Sequence, residues 1–377
     1  MPEKKNHHYI PQSILRRFSP DGRTISLYHL DSGQPIHRAA IRSQCSRGYY
    51  YGTDAALEDA FGETEGKFSA ILADVAGRDY RELAFKEKIG ILLFVHYQRL
   101  RTVSAAEASD RQMEALLKEI AATNPHTADL DPASYRIEFD NTQIRNLKAA
   151  GDATLLVADL EVKFLGNDRK TGFVLSDAGV ARYNQFAENH PLFKHWPSYG
   201  GIASKGLQWF YPVSPGLCIA VFDPTTYAYG SAKTAACRPS SRDVQALNTL
   251  QALHARKCIY YLPERASDED LRLLRRYRGK HPSIYDVEIV KSPPYCYPDG
   301  KIGQIVSPNS PEAHLGLQFN FSRVTDRNMY EGYDRAILPM RNPRLFDYVD
   351  QENRRRDAAS KAGPERNGGA HEDPNAG

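Results

Sequence analysis

The stretch Asn6-His7-His8-Tyr9-Ile10-Pro11-Gln12, which continues into Leu15-Arg16-Arg17-Phe18, organises the predicted fold. Pro11 disfavours a helical conformation at the residue before it and suits the first turn of a helix that starts there. From Pro11 to Phe18 the apolar residues recur at helical spacing. We therefore predict an extended arm that enters a short amphipathic helix, and the helix ends before the turn at residues 19–22.

Two adjacent histidines, His7 and His8, lie in this arm. Side chains of an extended segment alternate between its two faces, so only one of the pair can easily face a given pocket. One interpretation gives at least one histidine a role in a functional site. The alternative is a docking arm in which both rings only form hydrogen bonds.

The opening motif, Asn-His-His-Tyr-Ile-Pro-Gln followed by Leu-Arg-Arg-Phe, resembles the start of a widespread bacterial family known as domain of unknown function 4238. The resemblance covers roughly residues 6–262, and nothing recognisable follows Leu262. No activity is established for that family, so the resemblance implies a common architecture and little mechanism. The later segments that carry it, in the family's order, are Leu57-Glu58, Glu65, Gln98 to Arg101, Phe173 to Asp177, Pro212 to Pro215 and the helix around Asn248.

The chain of 377 residues is long enough for one large domain or two smaller ones. We predict a main domain at residues 1–262, an extension with a short helix and strands at residues 263–350, and a disordered tail at residues 351–377. The tail lacks periodic apolar residues. Its triplet Arg354-Arg355-Arg356 is read as the solvated end of a helix, or alternatively as a nucleic-acid contact.

Charge and cysteine usage restrict the class of protein. A formal net charge of +3 excludes a strongly basic coat for nucleic acid, although local basic patches remain compatible with it. No apolar run is long enough to cross a bilayer, and the five cysteines are widely spread without metal-knuckle spacing. We expect a soluble cytoplasmic protein without a membrane partner; the oligomeric state is undetermined.

The periodicity of the chain predicts an α+β fold. Helical patterns dominate residues 55–156, giving a helix-rich N-terminal half, whereas strands and helices mix before and after this region. The alternation at residues 24–28, the turn at residues 31–35 and the resumption at Ile36 predict an N-terminal β-hairpin. We expect these elements to pack on a small mixed sheet. Residues 185–205, rich in aromatic residues, glycine and proline, are predicted to form an irregular loop and a candidate lid.

Two carboxylates lie on the predicted helix at residues 55–76. Glu65 falls within or beside the apolar stripe of this helix, and Glu58 shares its face because seven residues are nearly two turns. A carboxylate against a core is costly unless it is paired or bound to a metal. Glu65 therefore either forms a structural ion pair with a nearby arginine or belongs to a functional site.

The exit of the next helix, at roughly residues 82–101, carries His96, Gln98 and Arg101. His96 extends an apolar row and is expected to be a core histidine. Arg101 would pair with Glu65 or Glu58, or it would hold a phosphate with its planar guanidinium. The sequence leaves both possibilities open.

Two further polar residues are candidates. Asp177 follows a predicted strand at residues 172–175, where a carboxylate serves either catalysis or a helix cap; the family resemblance favours the site. Asn248 lies off the apolar stripe of the helix that follows Ser240-Ser241.

The sequence lacks a phosphate-binding glycine loop, a dinucleotide fingerprint, a nucleophile elbow and a helical His-Glu-x-x-His motif. The remaining set predicts His7, His8, Glu65 and Asp177 as catalytic residues and Gln98, Arg101 and Asn248 as substrate-binding residues. Imidazole and carboxylates suit a divalent cation (Mg, Mn or Zn), with the predicted ligands His8, Glu58, Glu65 and Asp177.

This set leads to two hypotheses about function. The first is a metal-dependent hydrolase, nuclease-like or phosphodiesterase-like, of a bacterial defence or toxin type, acting on nucleic acid or a nucleotide. The alternative is a non-catalytic protein that binds a small ligand or nucleotide with the same polar cluster.

Overall fold

A computed structural model gives the fold of residues 6–53, 56–77, 83–191, 201–231, 233–283, 285–296, 300–310, 314–325 and 339–362. Helices and several small sheets mix within these ranges, so the fold is α+β, as predicted. The helices are α1 (Gln12–Leu15), α2 (Ala56–Gly77), α3 (Phe85–Leu100), α4 (Val103–Thr123), α5 (Thr142–Asp152), α6 (Gln185–Asn189), α7 (Ser241–His254), α8 (Asp268–Arg278) and α9 (Pro343–Ala362).

The strands form two larger sheets and four two-stranded pairs in the described ranges. The strands of the first half are β1 (Asn6–His8), β2 (Thr24–His29), β3 (Gln34–Ala40), β4 (Ser46–Gly48), β5 (Glu161–Gly166), β6 (Leu175–Ser176) and β7 (Ala181–Tyr183). Those that follow are β8 (Gln208–Ser214), β9 (Leu217–Phe222), β10 (Tyr227–Tyr229), β11 (Ala236–Cys237), β12 (Cys258–Tyr261), β13 (Glu288–Lys291), β14 (Tyr295–Cys296), β15 (Ile302–Gly303), β16 (Val306–Asn309) and β17 (Ser322–Val324).

The five-stranded sheet has the order β11-β5-β9-β8-β7, and the four-stranded sheet has the order β3-β2-β12-β6. The five-stranded sheet is mixed, because β11 runs parallel to β5 and the other neighbours are antiparallel. The predicted N-terminal hairpin is the β2–β3 pair, in which Leu27 lies opposite Ile36. The small mixed sheet expected from the sequence is therefore present.

The N-terminal arm is itself part of the fold. Strand β1 pairs with β4 in an antiparallel register, with His7 opposite Arg47, and then leads into α1. The backbone nitrogen of Tyr9 donates to the Cys45 carbonyl at 2.9 Å, and Ile10 is fully buried. The arm therefore belongs to the folded body of the protein.

Helices α2 and α3 pack against the five-stranded sheet through aromatic side chains. The rings of Phe68 and Phe94 stack with centroids 3.7 Å apart, and Phe94 lies 6.3 Å from Tyr211 on β8. These residues belong to the core cluster that also holds Ile10 and Phe18 of the arm region. The apolar stripe predicted for α2 thus faces the core, which fixes the opposite, polar face towards solvent.

The C-terminal extension contributes to a second core cluster, which lies around β8 and α7. Strand β17 pairs with β10, and Phe319 lies 5.2 Å from Phe210 of β8 between ring centroids. The carboxylate of Asp243 on α7 accepts the backbone N–H groups of Ser240 and of Asn320. Residues of the predicted extension therefore pack against strands and a helix of the preceding region.

The tail prediction does not hold for residues 351–362, which form the second half of α9. Val349 on this helix is buried, and the Asn353 side chain donates to the Asp152 carbonyl at 3.2 Å. Helix α9 packs on the 3-10 turn Thr154–Val157 that follows α5, and this tertiary contact supports a helical segment with little periodic apolar content. Arg354 and Arg355 are exposed and pair with acidic residues on the same helix, which matches the solvated helix end that was expected. Residues 363–377 lie outside the described residues.

The candidate lid begins with helix α6 (Gln185–Asn189) instead of an irregular loop, and residues 192–200 lie outside the described residues. No helix within the described ranges combines the length and the apolar character needed to cross a membrane.

His96 is a core histidine, as expected from its apolar row. Its ring is fully buried, stacks on Trp209 with centroids 6.0 Å apart, and bonds through Nε2 to the Ala150 carbonyl at 2.9 Å. Burial, reinforced by the nearby Arg99, lowers the pKa of His96 from 6.5 to about 4. The folded state therefore holds this ring neutral.

We expect acidification to destabilise the protein through His96. Because its pKa is lower in the folded than in the unfolded chain, stability is kept above about pH 6.5 and lost as the pH falls towards 4. Between pH 7 and pH 5 the free energy of unfolding should fall by about 2 kcal/mol on account of this residue. Urea unfolding of wild type and His96→Gln at both pH values measures the difference. The exposed histidine variant His126→Gln is the control, and equal pH dependence in all three proteins would contradict the assignment.

Candidate functional site

The two histidines of the arm face opposite sides, as an extended segment requires. His7 is buried, stacks on Tyr51 with ring centroids 5.7 Å apart, and accepts a hydrogen bond from the Tyr51 backbone nitrogen at 3.1 Å. His8 is half-buried and lines an open cleft between the arm and α2. The structure therefore gives His7 a packing role and leaves His8 as the histidine that a ligand can reach.

We call this feature the His8 cleft. Its volume is about 640 Å³, and parts of the chain more than 60 residues apart meet there. The arm and α1 form one wall, the segment around Arg42 another, and the polar face of α2 the floor. The lining residues are Asn6, His8, Gln12, Ser13, Arg16, Arg42, Glu58, Gly62, Glu65, Gly66 and Ser69.

The His8 ring is held by a short polar chain. Gln12 Nε2 lies 3.3 Å from His8 Nε2, and Gln12 Oε1 accepts a hydrogen bond from Arg16 at 2.7 Å. Burial lowers the pKa of His8 from 6.5; a hydrogen bond to the Arg42 backbone and the charge of Glu65 oppose this, and Arg101 and Arg16 reinforce it. The ring is therefore neutral at neutral pH and available to accept a proton.

The floor of the cleft is an unusually bare stretch of helix. At Gly62 and Gly66, four residues apart on α2, an added Cβ atom would meet nothing within 4 Å. By contrast, a Cβ at Gly90 on α3 would come within 2.9 Å of Ile71, so that glycine is explained by helix packing. Each glycine inside a helix costs about 1 kcal/mol relative to alanine. Gly62 and Gly66 have no such packing reason, and they open the space between Glu58 and Glu65.

Glu65 forms an ion pair with Arg101, one of the two partners that the sequence left open. Arg101 is only 2% exposed; it donates to Glu65 Oε1 at 2.7 Å and to Gln98 Oε1 at 3.0 Å, and its guanidinium lies 4.7 Å from the Phe61 ring centroid. Gln98 in turn donates to the Tyr9 carbonyl at 2.8 Å. The chain Glu65–Arg101–Gln98 thus fastens the arm to α2 and α3 directly behind His8.

Asp177 lies away from this cleft in a clasp of backbone donors. Its carboxylate accepts the backbone N–H groups of Arg256, Lys257 and Cys258 at 2.7, 2.9 and 3.2 Å. Burial raises the pKa of Asp177 even though these three donors oppose the shift. The structure does not bring Asp177 to the residues that line the His8 cleft. Instead, the Asp177 carboxylate links the end of β6 to the start of β12.

Asn248 lies on α7 and serves the backbone of the segment that leads to Asp177. Its side chain accepts from the Val174 nitrogen at 3.0 Å and donates to the Gly172 carbonyl at 2.9 Å. Gln251, one turn later, accepts from the Ser176 nitrogen at 2.9 Å. The side-chain amides of Asn248 and Gln251 thus bind backbone groups that a neighbouring strand would otherwise bind. The strand predicted at residues 172–175 is accordingly shorter and is observed as β6 (Leu175–Ser176).

Of the predicted site residues, His8, Glu58 and Glu65 line one cleft, with Arg101 and Gln98 directly behind it. His7, Asp177 and Asn248 have the separate roles described above. Within the part of the chain that the structure describes, no group of three or more His, Cys, Asp or Glu side chains is placed to hold a metal ion. The predicted four-ligand set is therefore not assembled around a single point.

The sequence reading did not assign Gln12, Arg16, Arg42, Gly62 and Gly66 to the site. The one available signal was the pair of glycines four residues apart inside an amphipathic helix, which is unfavourable for helix formation. The approach of Arg42 to the arm depends on the β1–β4 pairing and leaves no local pattern.

We expect the Glu65–Arg101 pair to be strongly coupled, because removal of one partner leaves the other charge in a largely buried setting. A double-mutant cycle with Glu65→Gln and Arg101→Gln should give a coupling free energy of about 0.5–3 kcal/mol in urea unfolding. The matched cycle on the same helix uses Glu63→Gln and Lys67→Gln, an exposed pair at 2.6 Å. That control should give about 0.2–0.5 kcal/mol. Equal coupling in the two cycles would contradict a structural role for Arg101.

Comparison with known proteins places the chain in a family without assigning it an activity. The comparisons with curated proteins and with solved structures each gave no match. Residues 6–265 match the family described as protein of unknown function (DUF4238), a span that includes every residue of the His8 cleft and ends before α8. The chain is a member of the DUF4238 family.

Proposed function

We propose that the protein is a phosphodiester hydrolase, nuclease-like or phosphodiesterase-like, with the His8 cleft as its site. The observation that carries the proposal is the convergence of one imidazole, two carboxylates and two arginines in one open cleft. These groups come from the arm, α1, the segment before β4 and α2. A purely structural network would be expected to bury such groups against one another instead of lining an open space with them.

His8 is the proposed general base. Burial keeps its ring neutral, and the ring faces the cleft beside Glu65 and Gln12. A neutral imidazole accepts a proton from an attacking water, and the nearby Glu65 carboxylate stabilises the imidazolium that forms. Gln12 fixes the ring orientation.

Arg16 and Arg42 are the proposed phosphate-binding residues, since both are exposed and both line the cleft. Guanidinium groups bind phosphate oxygens in pairs and neutralise the charge that develops during hydrolysis. They would hold the phosphodiester on the side of the cleft opposite α2.

A divalent cation, Mg²⁺ in the first place, is proposed to enter with the substrate. Mg²⁺ usually keeps several water ligands and is bound by one or two carboxylates together with substrate phosphates, so it does not need a preformed cage. Glu58 and Glu65 lie in the same cleft as the proposed phosphate site. They would bind the cation from the protein side, and an oxygen of the substrate phosphate would bind it from the other side.

The bare floor of the cleft supports the close approach of a substrate. Gly62 and Gly66 keep Cβ atoms out of the space between the two carboxylates. Both glycines lower the stability of the helix, and no close neighbour would prevent a larger residue at either position.

A second candidate is a non-catalytic protein that binds a nucleotide in the same cleft. The Glu65–Arg101 ion pair favours it, because a neutralised carboxylate is a weaker cation ligand and a weaker partner for His8. The chain from His8 through Gln12 to Arg16 would then be a recognition network. Turnover distinguishes the two candidates.

For either candidate we also propose the cytoplasm as the compartment, since all five cysteines are free thiols.

We expect His8→Gln to abolish most of the turnover. The loss of a general base lowers the rate by about 10²–10⁴-fold. Hydrolysis of bis(p-nitrophenyl) phosphate and of a single-stranded oligonucleotide is measured with millimolar MgCl₂ and with EDTA, and His126→Gln is the matched control. The wild-type rate should also hold to a pH below 6.5 before it declines, because the folded pKa of His8 is lowered.

Three outcomes would each contradict one part of this proposal. Wild type that turns over neither substrate but binds a nucleotide would establish the second candidate. Turnover unaffected by His8→Gln would remove His8 as the base. Turnover unaffected by EDTA would remove the cation from the proposal.

We expect Gly62→Ala/Gly66→Ala to separate stability from function. Two alanines should raise the free energy of unfolding by about 1–2 kcal/mol, because the helix gains propensity without a clash. The added methyl groups should lower kcat/KM by about tenfold or more, because they displace the substrate in the cleft. The control is Gly151→Ala on α5, where a Cβ would make an ordinary contact with the Tyr97 hydroxyl at 3.7 Å. Unchanged activity in the double variant would show that the glycines do not serve the site.

A further inference from the structure

Helix α8, which follows the family-matched region, has its charges sharply divided. Asp268, Glu269 and Asp270 occupy its first turn, and Arg272, Arg275, Arg276 and Arg278 occupy the remainder. Cations near a helix C-terminus are favoured by the macrodipole by about 0.3–1 kcal/mol each, and the effect fades within one turn. The dipole therefore accounts for the last arginines and leaves Arg272, one turn earlier, unexplained.

These arginines line a second cleft, which we call the α8 cleft. Its volume is about 670 Å³, and all four arginines and His281 line it. The turn between β2 and β3 and the loop that follows α8 form its floor. Asp31 is the one acidic residue in the lining. Four arginines against one carboxylate leave a formal charge of +3, with His281 counted as neutral.

Two of the arginines have structural partners. Arg275 donates to the carbonyls of Leu30 and Asp31 at 2.6 and 2.8 Å, and a Cβ at Gly33 would come within 3.1 Å of its guanidinium. Arg278 donates to the Arg256 carbonyl at 3.2 Å and lies 3.7 Å from the Asp31 carboxylate. The contacts of Arg275 and Arg278 with Leu30 and Asp31 hold α8 against the hairpin turn and fix the shape of the cleft.

Arg272 and Arg276 differ from this pair. They are exposed, lie four residues apart on one face of α8, and make no hydrogen bond or ion pair with residues in the described ranges. Like charges at this spacing destabilise a helix. Asp268 precedes the two arginines on this face, but its carboxylate accepts a hydrogen bond from the Tyr261 hydroxyl and forms no ion pair with Arg272. Two exposed cations without a partner in the described part of the chain, on the wall of a cleft, point to an anionic ligand.

We infer that the α8 cleft binds a small ligand that carries at least two phosphate groups. Arg272 and Arg276 bind its oxygens, and Arg275, held by the hairpin turn, forms a rigid cationic wall beside them. A cleft of this size holds a pyrophosphate or a nucleoside triphosphate. The inference does not depend on the His8 cleft, which is lined by different residues.

The test is a calorimetric titration of the full chain with inorganic pyrophosphate at low salt. Because the His8 cleft is also proposed to take a phosphate, every protein carries Arg16→Gln/Arg42→Gln, two exposed substitutions that disable that cleft. In this background one pyrophosphate should bind per chain and should bind more weakly as NaCl is added. Arg272→Gln/Arg276→Gln should weaken binding by about tenfold or more, since the loss of even one charge-assisted hydrogen bond to phosphate lowers affinity by roughly tenfold.

The matched control is Arg323→Gln/Arg344→Gln, which removes the same two charges from exposed positions outside the cleft. It should bind pyrophosphate as the background protein does. ATP and pyrophosphate are titrated separately, so that a nucleotide is distinguished from a free phosphate compound; binding of either one supports the inference. No binding at millimolar pyrophosphate or ATP, or equal loss in the control, would overturn it. Binding of an oligonucleotide alone would also overturn it, in favour of a nucleic-acid surface.

Discussion

The burial of Arg101 is the constraint on which the N-terminal half depends. A guanidinium that is 2% exposed must be compensated, and here Glu65 of α2, Gln98 of α3 and the face of the Phe61 ring provide the compensation. Gln98 also holds the Tyr9 carbonyl, so the same network fixes the arm. The orientation of His8 towards α2 is a consequence of this fixation, because His8 is the residue before Tyr9.

The same physical rule explains why several polar residues that look functional in the sequence are structural. A buried backbone group must find a hydrogen-bond partner, and where strand pairing is short the partner is a side chain. Asn248 and Gln251 on α7 serve the backbone between Gly172 and Ser176, and the Asp177 carboxylate serves the backbone of residues 256–258. Asn248, Gln251 and Asp177 therefore connect β6, β12 and α7.

The two clefts differ in how their polar groups are arranged. In the His8 cleft, cations and carboxylates face one another across the bare surface of α2, an arrangement suited to a phosphate and a cation together. In the α8 cleft, cations dominate; contacts with the hairpin turn fix Arg275 and Arg278, whereas Arg272 and Arg276 are exposed beside them. The arm lines the His8 cleft, whereas the hairpin lines the α8 cleft together with helix α8 of the extension.

The sequence by itself determined the α+β class, the N-terminal hairpin, the bounds of α2 and α3 within a few residues, and the opposite orientation of His7 and His8. These features follow from local periodicity and backbone preference, which act between near neighbours along the chain. For Arg101 it left three possibilities open, namely an ion pair with Glu65, an ion pair with Glu58, or a bound phosphate. Only the tertiary structure decided that Glu65 is its partner, that Arg42 reaches the arm, and that Asp177 and Asn248 serve the backbone. Only the tertiary structure, likewise, showed that part of the predicted tail is helix. Each of these outcomes depends on contacts between residues tens or hundreds of positions apart, and such contacts leave no periodic trace in the sequence.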